Sequence, residues 1–224
     1  MKRKKLFIVA GITTIILYSL GILTGYFIQE KVLSRTQEEL KKIQEEFFVY
    51  KQNLENVQLE QLYLTTYQGE LNCKILVSVI NGMQDKLAYF WSKLPTKLEV
   101  YEKYSEIQPD YIKLKRDYTL LSIRVWLLSL NVKEKCGEDI VPALYFYSKD
   151  CDKCIEQSYV LDNVKKEYSN FSAFIVDYNL DESIVKVIIN VWNVTKVPSF
   201  IIGDKLYSGY QDLARMKEII SKQR

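Results

Sequence analysis

Tyr145-Phe146-Tyr147-Ser148-Lys149-Asp150-Cys151-Asp152-Lys153-Cys154 is the stretch that decides the fold. The run Val141–Tyr147 is short, apolar and aromatic, the composition of a buried strand. Three polar residues follow, then two cysteines at i and i+3, opening a helix that runs to about Tyr168. Two cysteines so spaced in a first helical turn have sulfurs close enough to bond. Cys151 falls at the mouth of the helix, where unpaired N–H groups and the positive dipole end favour a thiolate. Cys154 lies one turn deeper and is more shielded. Cys151 is therefore the natural nucleophile, and Cys154 the thiol that resolves a mixed disulfide.

Working toward the C-terminus, Phe171–Asp177 reads as a second strand and Glu182–Trp192 as a helix. Pro198–Ile202 is a strand that turns at Gly203-Asp204 into Lys205–Ser208, and Gln211–Ser221 is a closing helix. Residues 138–224 thus form an α/β domain of order β-α-β-α-β-β-α.

With Cys-x-x-Cys at its first strand-to-helix junction, Val197-Pro198 before its third strand and Gly209-Tyr210 before its last helix, this domain resembles the thioredoxin superfamily. The resemblance implies a thiol–disulfide oxidoreductase acting on protein thiols and disulfides, with no cofactor beyond its own cysteines. It implies a cis Val197–Pro198 bond opposite the dithiol, with the backbone of Val197 pairing with a bound peptide. Read without the resemblance, Pro198 could equally be a trans proline opening an edge strand. The chain departs from the best-known patterns at three places. Asp150, not Trp, precedes Cys151; the inter-cysteine pair is Asp152-Lys153; and Tyr145 stands where thioredoxins carry a buried, proton-moving Asp. Asp152 disfavours a thiolate on Cys151 and Lys153 favours it. Tyr147 and Tyr210 are candidates for the rim of the site, though both positions also suit ordinary packing.

The composition narrows the chemistry further. The 224 residues contain no His, which removes Ser-His-Asp and Cys-His catalysis and every imidazole metal site. Cys73 and Cys136 are isolated cysteines in helical sequence. Cys151 and Cys154 alone are half of a zinc site, so no metal is assigned. Cys73 and Cys136 could bridge two helices, relay electrons to Cys151 and Cys154, or stay reduced. In an extracytoplasmic compartment a second disulfide between them is the bland pairing. Net charge is +3, and Lys2, Arg3, Lys4 and Lys5 concentrate the positive charge at the N-terminal tip. Beyond that tip no segment is strongly basic, so nucleic acid has no electrostatic support as a partner.

Residues 6–28, LFIVAGITTIILYSLGILTGYFI, carry no charge. As a helix they extend roughly 34 Å, enough to cross a bilayer core. The competing reading, a cleaved signal peptide, calls for a shorter apolar core and a small-residue cleavage site. Residues 1–5 are a basic tip, and only Lys31 and Arg35 follow the apolar run closely. The basic flank predicts a single-pass cell-membrane protein with a cytoplasmic N-terminus and an extracytoplasmic C-terminal domain.

Between anchor and α/β domain the chain reads as all-helical. Over 29–66, Leu33, Leu40, Phe47 and Leu54 recur every seven residues, and Thr36, Ile43, Tyr50, Val57 and Leu64 fill a second seam. This amphipathic heptad helix could self-associate through 33–64 or pack on helices of its own chain. Residues 67–137 read as a helical region: one helix over about 71–93 ended by Pro95, a short one over about 97–105, and a longer one from Gln108-Pro109-Asp110 to about Lys135. Its run LLSIRVWLLSL suggests burial in a bundle, because Arg124 interrupts it and the rest is too short to cross a bilayer.

Three functions compete. One is a membrane-tethered oxidoreductase exchanging disulfides with exported proteins and served by a further redox partner. The second is a membrane-anchored scaffold whose thioredoxin-like domain only binds partners. The third is the same enzyme in reversed topology, a cytosolic reductase.

Overall fold

A computed structural model describes residues 2–64, 70–93, 108–149 and 151–223, with side chains omitted for 2–10, 33, 36, 53–64, 70–72, 91–93 and 108. The expected short helix over 97–105, the seam residues Leu33, Thr36, Leu54, Val57 and Leu64, and Asp150 lie outside the described residues or side chains. The elements in chain order are α1 (Lys2–Leu64), α2 (Glu70–Lys93), α3 (Gln108–Cys136), β1 (Val141–Tyr147), α4 (Asp152–Glu167), β2 (Phe171–Asp177), α5 (Ser183–Trp192), β3 (Ser199–Ile202), β4 (Lys205–Ser208) and α6 (Leu213–Ser221).

The apolar segment and the heptad segment are one helix, α1, where the sequence suggested two consecutive units. From Tyr26 to Leu64 there is neither Gly nor Pro, so nothing interrupts the backbone ladder between them. Within this helix Ile12, Ile15, Ile16, Leu17, Leu20, Ile22, Leu23, Phe27 and Ile28 are all exposed. The segment is long and apolar enough to cross a membrane. Farther along, the described heptad positions face inward. Leu40 and Phe47 are buried, and Ile43 and Tyr50 pack against the same cluster. Phe47 meets Phe90 of α2 edge-on, with ring centroids 5.0 Å apart, and the Tyr50 hydroxyl donates to the Met83 carbonyl at 3.2 Å. These four positions are therefore occupied by the chain's own helices.

Helix α3 opens with Pro109 in its first turn, where a missing N–H costs nothing, and ends at Gly137, whose φ of 67° suits the left-handed residue that closes a helix. Tyr111, Leu114, Tyr118, Leu121 and Val125 bury one face at helical spacing, while Arg124 leaves to solvent. Helix α3 packs on β1 and β2 as well as on α2. Lys133 clamps its far end by donating to the carbonyls of Ile140 and Gln223, at 2.9 and 2.8 Å. The helical region and the α/β region consequently share one core, and residue 138 marks a change of element type within it.

The sheet order is β2-β1-β3-β4. β1 and β2 are parallel, running from Val141↔Phe171 to Tyr147↔Asp177, with α4 as the crossover. β1 and β3 are antiparallel from Ala143↔Ile202 to Phe146↔Ser199. Pro142 thus lies outside the β3 pairing, where β1 has only β2 as neighbour. β3 and β4 form a hairpin turning at Gly203, whose φ is 61°. The boundaries are slightly tighter than the sequence suggested. Glu182 caps α5 without a side-chain bond because its carboxylate pairs with Arg116, and Asp212 caps α6 by accepting from the Arg215 N–H at 2.7 Å.

Candidate active site

β1 carries the chain through the middle of the sheet, between β2 and β3, and releases it at Tyr147, shortly before the first turn of α4. Cys151 is the N-cap of that helix, with extended backbone angles. Its Sγ accepts the N–H of Cys154 at 3.1 Å, and its carbonyl accepts the same N–H at 2.9 Å. Cys151 and Cys154 form a disulfide with Cα atoms 5.2 Å apart. Cys151 is half-buried, whereas Cys154 is only 6% exposed. The first-turn N–H groups and the helix dipole converge on the more accessible sulfur.

The first turn of α4 lies on the aromatic floor of β1. Tyr145 is buried, stacks on Phe200 at 4.8 Å, and donates its hydroxyl to the Cys154 carbonyl at 3.1 Å. Burial raises the Tyr145 phenol above its ordinary pKa, which keeps it a neutral donor. The Lys153 ammonium donates to the Glu156 carboxylate at 2.7 Å, and its Nζ lies 5.5 Å from the centre of the Tyr210 ring. The hydrogen bond and charge of the Glu156 carboxylate raise the Lys153 pKa, so the ammonium is held on Glu156.

The β1–β3 register stops at Phe146↔Ser199, the first residue of β3, so Val197 and Pro198 come just before β3, beside Tyr147. The Val197–Pro198 bond is cis, and the Pro198 carbonyl accepts the Gly209 N–H at 2.8 Å. A mixed sheet, a helix-capping dithiol and a cis-proline loop at the same sheet end together define the architecture. The chain carries a thioredoxin-like domain. No family model and no curated protein matches the sequence. Among solved structures, a thioredoxin-2 described as a component of malaria parasite protein secretion machinery is 24% identical over 37% of this chain and 82% of its own, at a TM-score of 0.33. Fasciola hepatica thioredoxin is 16% identical over 44% and 93%, at 0.35. A thioredoxin-like protein from Clostridium perfringens is 21% identical over 40% and 75%, at 0.34. These likenesses concern the fold and say nothing of this chain's chemistry.

In this domain Gln157 holds the far wall of the site, a residue that sequence reasoning passed over. It is 0% exposed, and its amide donates to the Gln211 carbonyl at 2.9 Å and accepts the Gln211 N–H at 2.7 Å. The loop carrying Tyr210 is thereby tied to α4 one turn beyond Cys154. The sequence signal was a polar residue on the inward stripe Cys154, Gln157, Leu161, Val164.

Cys73 and Cys136 are bonded to each other, with Cα atoms 5.6 Å apart, joining the start of α2 to the end of α3. Cys136 precedes β1 and Cys151 follows it, so the length of the strand, about 23 Å, separates the two disulfides. The structure thus speaks against a direct relay between them. Among the described residues no three of His, Cys, Asp and Glu gather as a ligand set.

Proposed function

We propose that the chain is a membrane-anchored thiol–disulfide oxidoreductase that exchanges disulfides with exported proteins. The observation that carries this reading is the asymmetry of the pair: Cys151 is half-buried and bonded to a first-turn N–H, and Cys154 is 6% exposed behind it. In the oxidising direction a substrate thiolate attacks Cys151 Sγ and forms a mixed disulfide, and Cys154 leaves as a thiolate that takes up a proton. A second substrate thiolate then displaces Cys151, completing the substrate disulfide. Two electrons pass to the protein, which is left as the Cys151/Cys154 dithiol. Reduction of a substrate disulfide is the same sequence reversed, with Cys151 attacking and Cys154 resolving. Val197 and Pro198 are proposed to hold the substrate backbone beside Cys151, supported by their position immediately before β3, at the sheet end where β1 leads into α4. A further redox partner resets the pair after each turnover.

Membrane attachment is supported by the uncovered apolar surface on every side of α1 between Ile12 and Ile28. In water such a surface is strongly unfavourable, and a bilayer is its matching environment. With the basic tip inside, the redox domain lies outside the cell membrane.

The test uses the full chain in detergent. Thiol trapping across glutathione buffers of defined potential is expected to show Cys151–Cys154 titrating as a two-electron couple. Pre-reduced Cys154→Ser is expected to accumulate a mixed disulfide with a disulfide-bonded peptide, and Cys151→Ser is not. Folded protein that neither titrates nor captures would overturn the enzyme and leave the scaffold.

A further inference from the structure

Helix α1 fixes a direction that the rest of the fold inherits. Gln44 donates to the Asp110 carbonyl at 3.1 Å, and Lys51 pairs with Asp117 at 3.3 Å. Seven residues on α1 match seven on α3, so α3 runs parallel to α1, away from the apolar segment. β1 then runs back. Lys133, near the end of α3, bonds the Ile140 carbonyl before β1 begins. Lys115, near its start, pairs with Asp177 at the end of β2 and lies 5.9 Å from the ring centre of Tyr147 at the end of β1. The C-terminal ends of β1 and β2, where Cys151 and the Val197–Pro198 loop sit, therefore lie level with the first turns of α3. They face back along α1 toward Ile28. The matching stretch of α1, Gln44 to Lys51, lies 16 to 23 residues past Ile28, roughly 24–35 Å of helix, with the level of Lys115 at about 30 Å.

We infer that the Cys151–Cys154 end of the domain faces the membrane at a fixed height, so its exchange partner is a thiol or disulfide on a polypeptide anchored in the same membrane, held within roughly 30 Å of the surface. This deepens the proposed oxidoreductase reading and rests on it. The parallel α1–α3 pair sets the height, and the antiparallel return of β1 sets the orientation. A rigid helical stalk with no Gly or Pro from Tyr26 to Leu64 preserves both. A partner free in solution gains nothing from such an arrangement, whereas one confined to the membrane meets Cys151 at a high effective concentration only when its own height matches.

The experiment places pre-reduced full-length Cys154→Ser in liposomes with single-span peptides. Each peptide carries one disulfide loop on a helical spacer, set roughly 30 or 60 Å above the bilayer at 1.5 Å per residue. The reaction is attack of the Cys151 thiolate on the loop, giving a mixed disulfide and one free peptide thiol. Capture of the lower loop is expected to be at least about tenfold faster than capture of the higher one, with equal rates once both are dissolved in detergent. A seven-residue helical insertion after Ser34 adds roughly 10 Å and is expected to move the optimum outward by that amount. Equal rates in liposomes alongside normal rates in detergent would overturn the inference and leave the oxidoreductase standing. Absence of capture in detergent as well would overturn both.

Discussion

The Tyr145 hydroxyl donates to the Cys154 carbonyl at 3.1 Å, so the strand beneath the redox helix grips its first turn through a neutral phenol. This is the position at which the sequence departs from the buried Asp of the thioredoxin pattern. A phenol whose pKa is raised by burial holds the turn in place and does not exchange protons near neutrality. Tyr145→Phe is therefore expected to cost about 1 kcal/mol in denaturant unfolding, the worth of one buried hydrogen bond. The pH–rate profile of Cys151 alkylation is expected to stay unchanged between about pH 6 and 8. A shifted profile would show that the phenol moves protons after all.

Burial raises the pKa of Tyr50, Tyr118 and Tyr145 alike. Each keeps its proton longer in the folded state than in the unfolded one. As pH climbs past the ordinary tyrosine value of about 10, the unfolded chain ionises first and gains free energy relative to the fold. Stability is expected to be flat below that point and to fall steeply above it. Loss of ellipticity is expected to bring a further rise in phenolate absorbance as the buried phenols are released. The slope of stability against pH should lessen in Tyr145→Phe, and an unchanged slope in that variant would refute the argument.

Lys115 of α3 and Asp177 at the end of β2 form a largely buried ion pair. Asp177 also accepts the Asn179 N–H at 2.9 Å. Lys115→Met leaves a buried carboxylate without its cation and is expected to cost about 3–5 kcal/mol. Lys115→Met with Asp177→Asn is expected to recover most of that loss. Chemical denaturation of both single variants and the double closes the cycle, and additive losses would mean the pair is not coupled.

The Cys73–Cys136 disulfide joins residues 63 apart in sequence. On the chain-entropy account such a link stabilises by roughly 4 kcal/mol. Cys73→Ser with Cys136→Ser is expected to lower thermal stability accordingly. The rate of exchange at Cys151 is expected to remain within about twofold, since a strand's length separates the two disulfides. A large fall in exchange by folded protein would restore the relay.

The order of strands and helices over 138–224 and the place of the cysteine pair at a helix start were legible in the sequence, as was the apolar run 6–28. Each depends on neighbours a few residues apart: alternation, the 3.6-residue period, turn chemistry and uninterrupted hydropathy. The heptad at Leu40, Ile43, Phe47 and Tyr50 announced a buried face but not what buries it. A period carries no address, and only the packed helices supplied Phe90 and Met83. The contacts Tyr145–Cys154, Gln157–Gln211 and Lys115–Asp177 have no signature in spacing either. Each joins separate elements whose approach is set by strand register and helix packing. The same holds for the direction in which Cys151 looks. It follows from α3 running with α1 and β1 running against α3, and relative direction belongs to packed elements, not to any one segment of chain.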